Sequence, residues 1–148
     1  MNKFPDSAID SVIDAVTIKA YLETEYRIYS ATPFTLKVGM ACPILAELHK
    51  THAVTESAFI TACNPFSTIL SEKDNVARHT ELEQLLTQQG FVFFQGIGKH
   101  PTDNWPGEPG FLVLGIGLEA ARVLACQLEQ NAIIWNAADA IPQLILLR

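Results

Sequence analysis

Residues 63–82 read CNPFSTILSEKDNVARHTEL, and within them Asn64, Ser67, Ser71, Asn75 and Arg78 carry the neutral donors and the one guanidinium that suit a small anion. The 3.6-residue period extends over 72–89. At about 100° per residue, Asn75, Arg78, Leu85, Leu86 and Gln89 all fall within roughly 60° of Leu82. Asn75 and Arg78 are therefore expected on the stripe that meets a sheet, close behind the Asn64-Pro65 corner where a strand stops. Helix N-termini present free backbone donors and favour negative charge. Ligands of open sheets sit beyond the carboxyl ends of strands. In this arrangement Arg78 takes the charge while Asn64 and Asn75 orient it. The structural alternative pairs Arg78 with an acid such as Glu108 and uses Asn64 to cap the turn, since charged residues are seldom buried unpaired.

A second constellation lies in residues 90–118, GFVFFQGIGKHPTDNWPGEPGFLVLGIGL, where two apolar runs bracket a polar loop. Loops longer than about twelve residues are uncommon in compact domains and are often functional. Gly96-Ile97-Gly98 permits a close backbone approach, although a lone G-x-G lacks the rest of any phosphate-binding fingerprint. Trp105, stiffened by Pro106 and Pro109, suits stacking on a planar ligand or lidding its own core. Glu108 suits a general base, an amine acceptor or a partner for Arg78, and spacing does not choose among these. Tyr26, Arg27 and Tyr29 form a third cluster, with an ordinary aromatic sheet face as the alternative.

Several chemistries are excluded. His49, His52 and His79 have no H-E-x-x-H or zinc spacing, so no metal is expected. Cys42, Cys63 and Cys126 are widely spaced and odd in number, which reads as reduced buried thiols. There is no G-x-S-x-G motif, and covalent catalysis is unsupported. GFVFF resembles the aromatic strand of RRM domains, but it falls on the second core strand, and the chain carries a net charge of −6. No nucleic-acid polymer is therefore expected as a partner. Mean hydropathy is +0.18, yet polar residues interrupt every run short of the roughly 18 residues of a membrane span. The opening MNKFPDSAID has no apolar signal core, so the expected location is cytoplasmic and no membrane partner is expected.

The elements that must position these residues follow from periodicity. The 148 residues suit a single domain, 1–148. Pro5-Asp6-Ser7 is expected to open an amphipathic helix within 1–23, carrying Ile9, Val12, Ile13, Val16 and Ala20 and lying outside the core. Residues 25–52 give a strand-strand-helix extension with Pro43 at a first helical position. Residues 58–148 then read strand 58–63, helix 72–89 capped by Gly90, two strands, helix 118–130, and strands at 132–135 and 144–147. The fold class is α+β: a ferredoxin-like βαββαβ core with an extra N-terminal helix and strands and an extra C-terminal strand. Its helices pack mainly on one face of a largely antiparallel sheet.

EYRIYS, AFITACNPFS with the serine and asparagine of SEKDN, GFVFFQGIGKHPTDNWPGEPGFLVLGI, and EQNAI with the closing PQLILL resemble a family of short bacterial proteins classed as a domain of unknown function, number 3293. The resemblance implies a stand-alone cytosolic domain with no assigned activity. Its motif residues would include Tyr26, Asn64, Pro65, Asn75, Trp105, Glu108 and Gln130. Gly110 stands where a serine is usual, and Leu128-Glu129 replaces a phenylalanine-glycine, so any hydrogen bond from that serine is vacant.

The reading is thus a domain that holds a small anionic or nucleotide-like molecule between the Asn64 to Arg78 corner and the Trp105 to Glu108 loop, with Tyr26 nearby. Its cofactor and any reaction are unknown. The competing reading is a regulatory or interaction module that forms a homodimer through its sheet or an edge strand without catalysis.

Overall fold

The computed structural model describes residues 11–148. The expected helix opening at Pro5-Asp6-Ser7 and Ile9 lies outside the described residues. Helix α1 spans Ala15–Glu23, and Val12 and Ile13 precede it instead of joining it. Asp14 sets this boundary: its extended backbone stops the helix, and its carboxylate accepts the Thr17 amide hydrogen at 2.7 Å.

The remaining elements are β1 (Glu25–Ile28), β2 (Phe34–Leu36), α2 (Pro43–Thr51), β3 (Ser57–Ile60), a 3-10 turn (Pro65–Ser67), α3 (Glu72–Gln88), β4 (Val92–Lys99), β5 (Glu108–Leu114), α4 (Leu118–Gln127), β6 (Ala132–Asn136) and β7 (Pro142–Leu146). The seven strands form one sheet in the order β2-β1-β4-β5-β3-β6-β7, and every neighbouring pair is antiparallel. Each helical crossover, β3 to β4 through α3 and β5 to β6 through α4, skips one strand. That leaves its two ends parallel and non-adjacent. The architecture is α+β, and no helix among the described residues is long and apolar enough to cross a membrane.

Alternation along the strands divides the sheet into two faces. Ala58, Ile60, Phe111, Val113 and Ile133 pack with Leu82 and Leu86 of α3 and with Ala121, Leu124 and Ala125 of α4. Phe59, Leu112, Leu114, Ile134, Tyr26, Ile28 and Leu36 pack on the other face with Leu45 of α2. The expectation that helices gather mainly on one face is corrected here. The wings β1, β2 and β7 widen the sheet, and their apolar residues need cover on the second side.

Three local boundaries also differ from expectation. β3 stops at Ile60 instead of residue 63, because Thr61 turns its hydroxyl back to the Cys63 amide at 3.1 Å and Asn64 enters the left-handed region. Gly96, Ile97 and Gly98 belong to β4 and Glu108 opens β5, so the connecting loop is only residues 100–107. α4 ends at Gln127, where Glu129 takes φ 59° in place of the usual glycine.

Candidate functional site

A cavity of about 360 Å³ lies between α1 and the second face of the sheet, near the lower end of the about 300–1,000 Å³ typical of ligand pockets. Its origin can be traced on both walls. The inner stripe of α1 is Thr17, Ala20, Tyr21 and then Thr24, at i, i+3, i+4 and i+7, all of which line the cavity. Mostly short and hydroxylated, these side chains leave no residue of α1 buried. Opposite, the strands place Gly96, Gly98 and Gly110 on the same face. A Cβ on Gly110 would come within 2.7 Å of Phe59 Cζ, and one on Gly98 within 3.3 Å of the Tyr26 ring. The close approach that the G-x-G pair permits is therefore made by the protein's own rings, whose centroids lie 5.5 Å apart on the cavity floor. A serine at position 110 would have no room in this packing.

The polar centre of the cavity is Glu108. Register places Tyr26, Gly98 and Glu108 in one row across β1, β4 and β5. Oε2 of Glu108 accepts from Asn64 Nδ2 at 2.7 Å and from Trp105 Nε1 at 3.2 Å. Burial raises the proton affinity of this carboxyl above its ordinary value, and the two hydrogen bonds oppose that shift. Burial likewise pushes the Tyr26 phenol up; its hydroxyl donates to Tyr21 O at 3.1 Å.

Asn64 is held from behind by Asn75. The Asn64 amide donates to Asn75 Oδ1 at 2.9 Å, and Asn75 Nδ2 donates to Asn64 Oδ1 at 2.8 Å. With Oδ1 also accepting from Leu70 N at 3.0 Å, the Asn64 side chain can direct only its amino group at Glu108. The corner itself is unusual. Asn64, Phe66 and Ser67 have φ of 48°, 52° and 60°, a cluster of left-handed non-glycine residues of the kind that gathers at ligand clamps.

The expected residues thus divide. Asn64, Ser67, Trp105, Glu108 and Tyr26 line the cavity; Ser71, Asn75 and Arg78 do not. Ser71 caps α3, accepting from Asp74 N at 3.1 Å, and Glu72 and Asp74 already supply negative charge to that first turn. Arg78 is corrected most. Its guanidinium donates to the carbonyls of Ala62 and Leu128 and lies 3.7 Å from Glu129, so it fastens the end of α4 to the end of β3. The alternative, that Arg78 pairs with an acid, is met by Glu129 in place of Glu108. Among the residues lining the cavity there is no lysine or arginine, and the one histidine, His100, is set against Glu23 and Asp103.

Of the other lining residues, Gln130 was expected as a motif residue of the family resemblance, whereas Tyr21 and Asn131 were not singled out from sequence. Tyr21 and Ser67 share a hydrogen bond of 2.8 Å, and Asn131 Nδ2 donates to both, at 3.2 and 2.9 Å. His100 Nε2 lies 3.0 Å from Glu23 at the end of α1, and its Nδ1 accepts from the Thr102 and Asp103 amides. Gln130 donates to Cys63 O at 3.1 Å. The i, i+3, i+4, i+7 stripe of small and hydroxylated residues on α1 was the available signal.

These features define an α+β domain with a helix-roofed cavity in which a half-buried carboxylate is held by an asparagine and a tryptophan. Residues 60–133, half of the chain, match the family described as Protein of unknown function (DUF3293), and the chain belongs to that family. The match runs from the last residue of β3 into β6. It includes Asn64, Trp105, Glu108 and Gln130 but neither Tyr26 nor α1. No curated protein and no solved structure matches the chain.

Proposed function

We propose that this protein binds a small molecule in the cavity beneath α1, with Glu108, Asn64 and Trp105 as the polar anchor and Tyr26 and Phe59 as the apolar floor. One observation carries the reading: a half-buried carboxylate, oriented by two neutral donors, opens on an otherwise largely apolar space of about 360 Å³. Ser67 and Asn131, joined to Tyr21, would hold the roof over an occupant. Glu108 is also the group best suited to exchange a proton with a ligand, because burial has raised its proton affinity. Cys63 is a poor nucleophile here: its thiol is buried, pushed up by that burial, and turned toward backbone carbonyls.

The strand order β6-β3-β5-β4 supports a ferredoxin-like core, and the continuous sheet supports one folding unit over the described residues of the expected domain. Three unpaired thiols fit a reducing, cytoplasmic setting. A homodimer through a sheet face is disfavoured, because helices and core residues cover both faces. Nitrogen-15 NMR of the full chain during titration with a mixed set of small neutral and charged compounds tests the binding reading. Shifts concentrated at Trp105, Tyr21 and Asn131 support it; shifts confined to other surfaces refute it.

A further inference from the structure

We propose that the ligand class of this cavity is cationic: an ammonium group on a compact apolar body, with its charge set against Oε1 of Glu108. The proposal rests on the binding reading above and adds the sign of the charge.

The two oxygens of Glu108 are not equivalent. Oε2 receives both hydrogen bonds, while Oε1 has no hydrogen-bond partner among the described residues. Nor is Oε1 sealed away, since the wholly buried side-chain atoms without partners are His49 Nδ1, His79 Nδ1 and Asn136 Oδ1. An ionised carboxylate removed from water is normally matched by a positive charge as well as by hydrogen bonds. Glu108 takes part in none of the ion pairs among the described residues.

The nearby basic side chains are all committed elsewhere, including His100 of the lining, which lies 3.0 Å from Glu23 and 3.6 Å from Asp103. Lys99 Nζ donates to Trp105 O at 2.9 Å, Arg78 to two carbonyls, and Arg148 to Asn131 Oδ1 at 3.1 Å, with its guanidinium 4.1 Å from the Phe66 ring centroid. The missing countercharge is therefore left to an occupant. Asp103 adds a second carboxylate to the lining. The rings of Tyr26, Phe59 and Trp105 supply π surfaces that favour a cation and offer an anion nothing. Phosphates and carboxylates would instead face like charge in a desolvated space.

The test titrates the full-length protein with two matched series: phenethylamine, 3-phenylpropionate and 2-phenylethanol, and their cyclohexyl counterparts. The readout is the indole N–H signal of Trp105. Trp135, whose indole points to Ile116 O near α4, serves as the internal reference. The expected result is that the amines bind tighter than the alcohols, and the carboxylates weakest. Glu108→Gln should weaken the amines by about 10- to 100-fold, the loss expected for a charge-assisted hydrogen bond, and leave the alcohols within about threefold. In the unaltered protein the amine affinity should fall as pH drops and Glu108 protonates, so the test does not depend on how the variant folds. Alcohols or carboxylates binding as tightly as amines, with no effect of Glu108→Gln, would overturn the cationic class and leave the cavity reading standing. If no compound in either series moves the Trp105, Tyr21 or Asn131 signals, both readings fall.

Discussion

Helices α1 and α2 are each nine residues long and cover the same face of the sheet, yet they do opposite things. Helix α2 buries Leu45 completely, together with His49, against the floor built from Leu36, Phe59 and Leu114. No residue of α1 is buried, and Val16 remains 79% exposed. The difference comes from the facing surfaces. Where α2 lands, long apolar side chains interlock and leave no room. Where α1 lands, threonines and an alanine meet strands recessed by glycines, so the two walls do not interlock; the Tyr26 hydroxyl crosses to Tyr21 O at 3.1 Å. Polar side chains hold α1 in place instead: Tyr21 to Ser67 and Asn131 at one point, Glu23 to His100 at another. One covering helix is a packed core element. The other is a roof.

The sharpest way to test that contrast is to delete apolar volume under the packed helix. Leu45→Ala should cost about 2–5 kcal/mol in urea unfolding, the range for a fully buried leucine that leaves a cavity. A loss under about 1 kcal/mol would mean that α2 is no better packed than α1. Next in size is the floor. Gly110→Ala puts a Cβ within 2.7 Å of both Ile60 O and the Phe59 ring. Backbone cannot yield there cheaply, so a loss of about 1–3 kcal/mol is expected. Both measurements use the same denaturation curve, and a neutral Gly110→Ala would remove the explanation offered for the recessed strands.

The two regions should also respond to pH with opposite sign. His49 donates to or accepts from Ser57 Oγ at 2.7 Å beneath α2, and burial lowers its proton affinity below the ordinary 6.5. Its stabilising contribution is complete above that value and is lost as pH falls through the lowered folded-state value. Glu108, raised above its ordinary 4.5, stabilises fully below 4.5 and loses that contribution as pH rises through the raised folded-state value. Glu108→Gln should therefore stabilise the fold at neutral pH, with the gain shrinking as pH falls toward 4.5. His49→Gln should flatten part of the acid loss. His79, also lowered by burial, adds to that loss from the opposite face, where it stacks on Phe111. A gain from Glu108→Gln that grows on acidification would contradict the desolvated carboxylate.

Much of the frame was legible in the sequence because it is written in periodicity. Leu82, Leu85 and Leu86 set the inner face of α3; Pro43 marked the start of α2; and the two apolar runs around residues 90–118 became the paired strands β4 and β5. The site was legible in part. Asn64 with Glu108 and Trp105 emerged as neighbours, but the role of Arg78 did not. A helical wheel reports which way a side chain leaves the helix. It does not report that carbonyls at the ends of β3 and α4 wait within reach of that guanidinium. The roof was missed for a related reason. Thr17, Ala20, Tyr21 and Thr24 do not read as a core stripe, and a helix that borders a void leaves no strong apolar signal. The glycines were noticed, but which face they shared depended on strand register, and register depends on all seven strands together.

The smallest expected effect on stability tests the roof most directly. Ala20 lines the cavity from the middle of α1, so Ala20→Leu extends a branched apolar side chain into the empty space without touching the sheet backbone. If the gap is a true void, the added methyls gain contacts that water did not supply, while α1 keeps its capping bond from Asp14 and its ties through Tyr21 and Glu23. Unfolding free energy should then stay within about 0.5 kcal/mol of the parent or rise slightly, since filling an existing space avoids the strain of overpacking. The same change should abolish the shift of the Trp105 indole by any small compound, because the leucine occupies the volume. A variant that loses more than about 1 kcal/mol would mean that α1 already sits tightly on the floor. The contrast with α2 would then collapse, and the cavity with it.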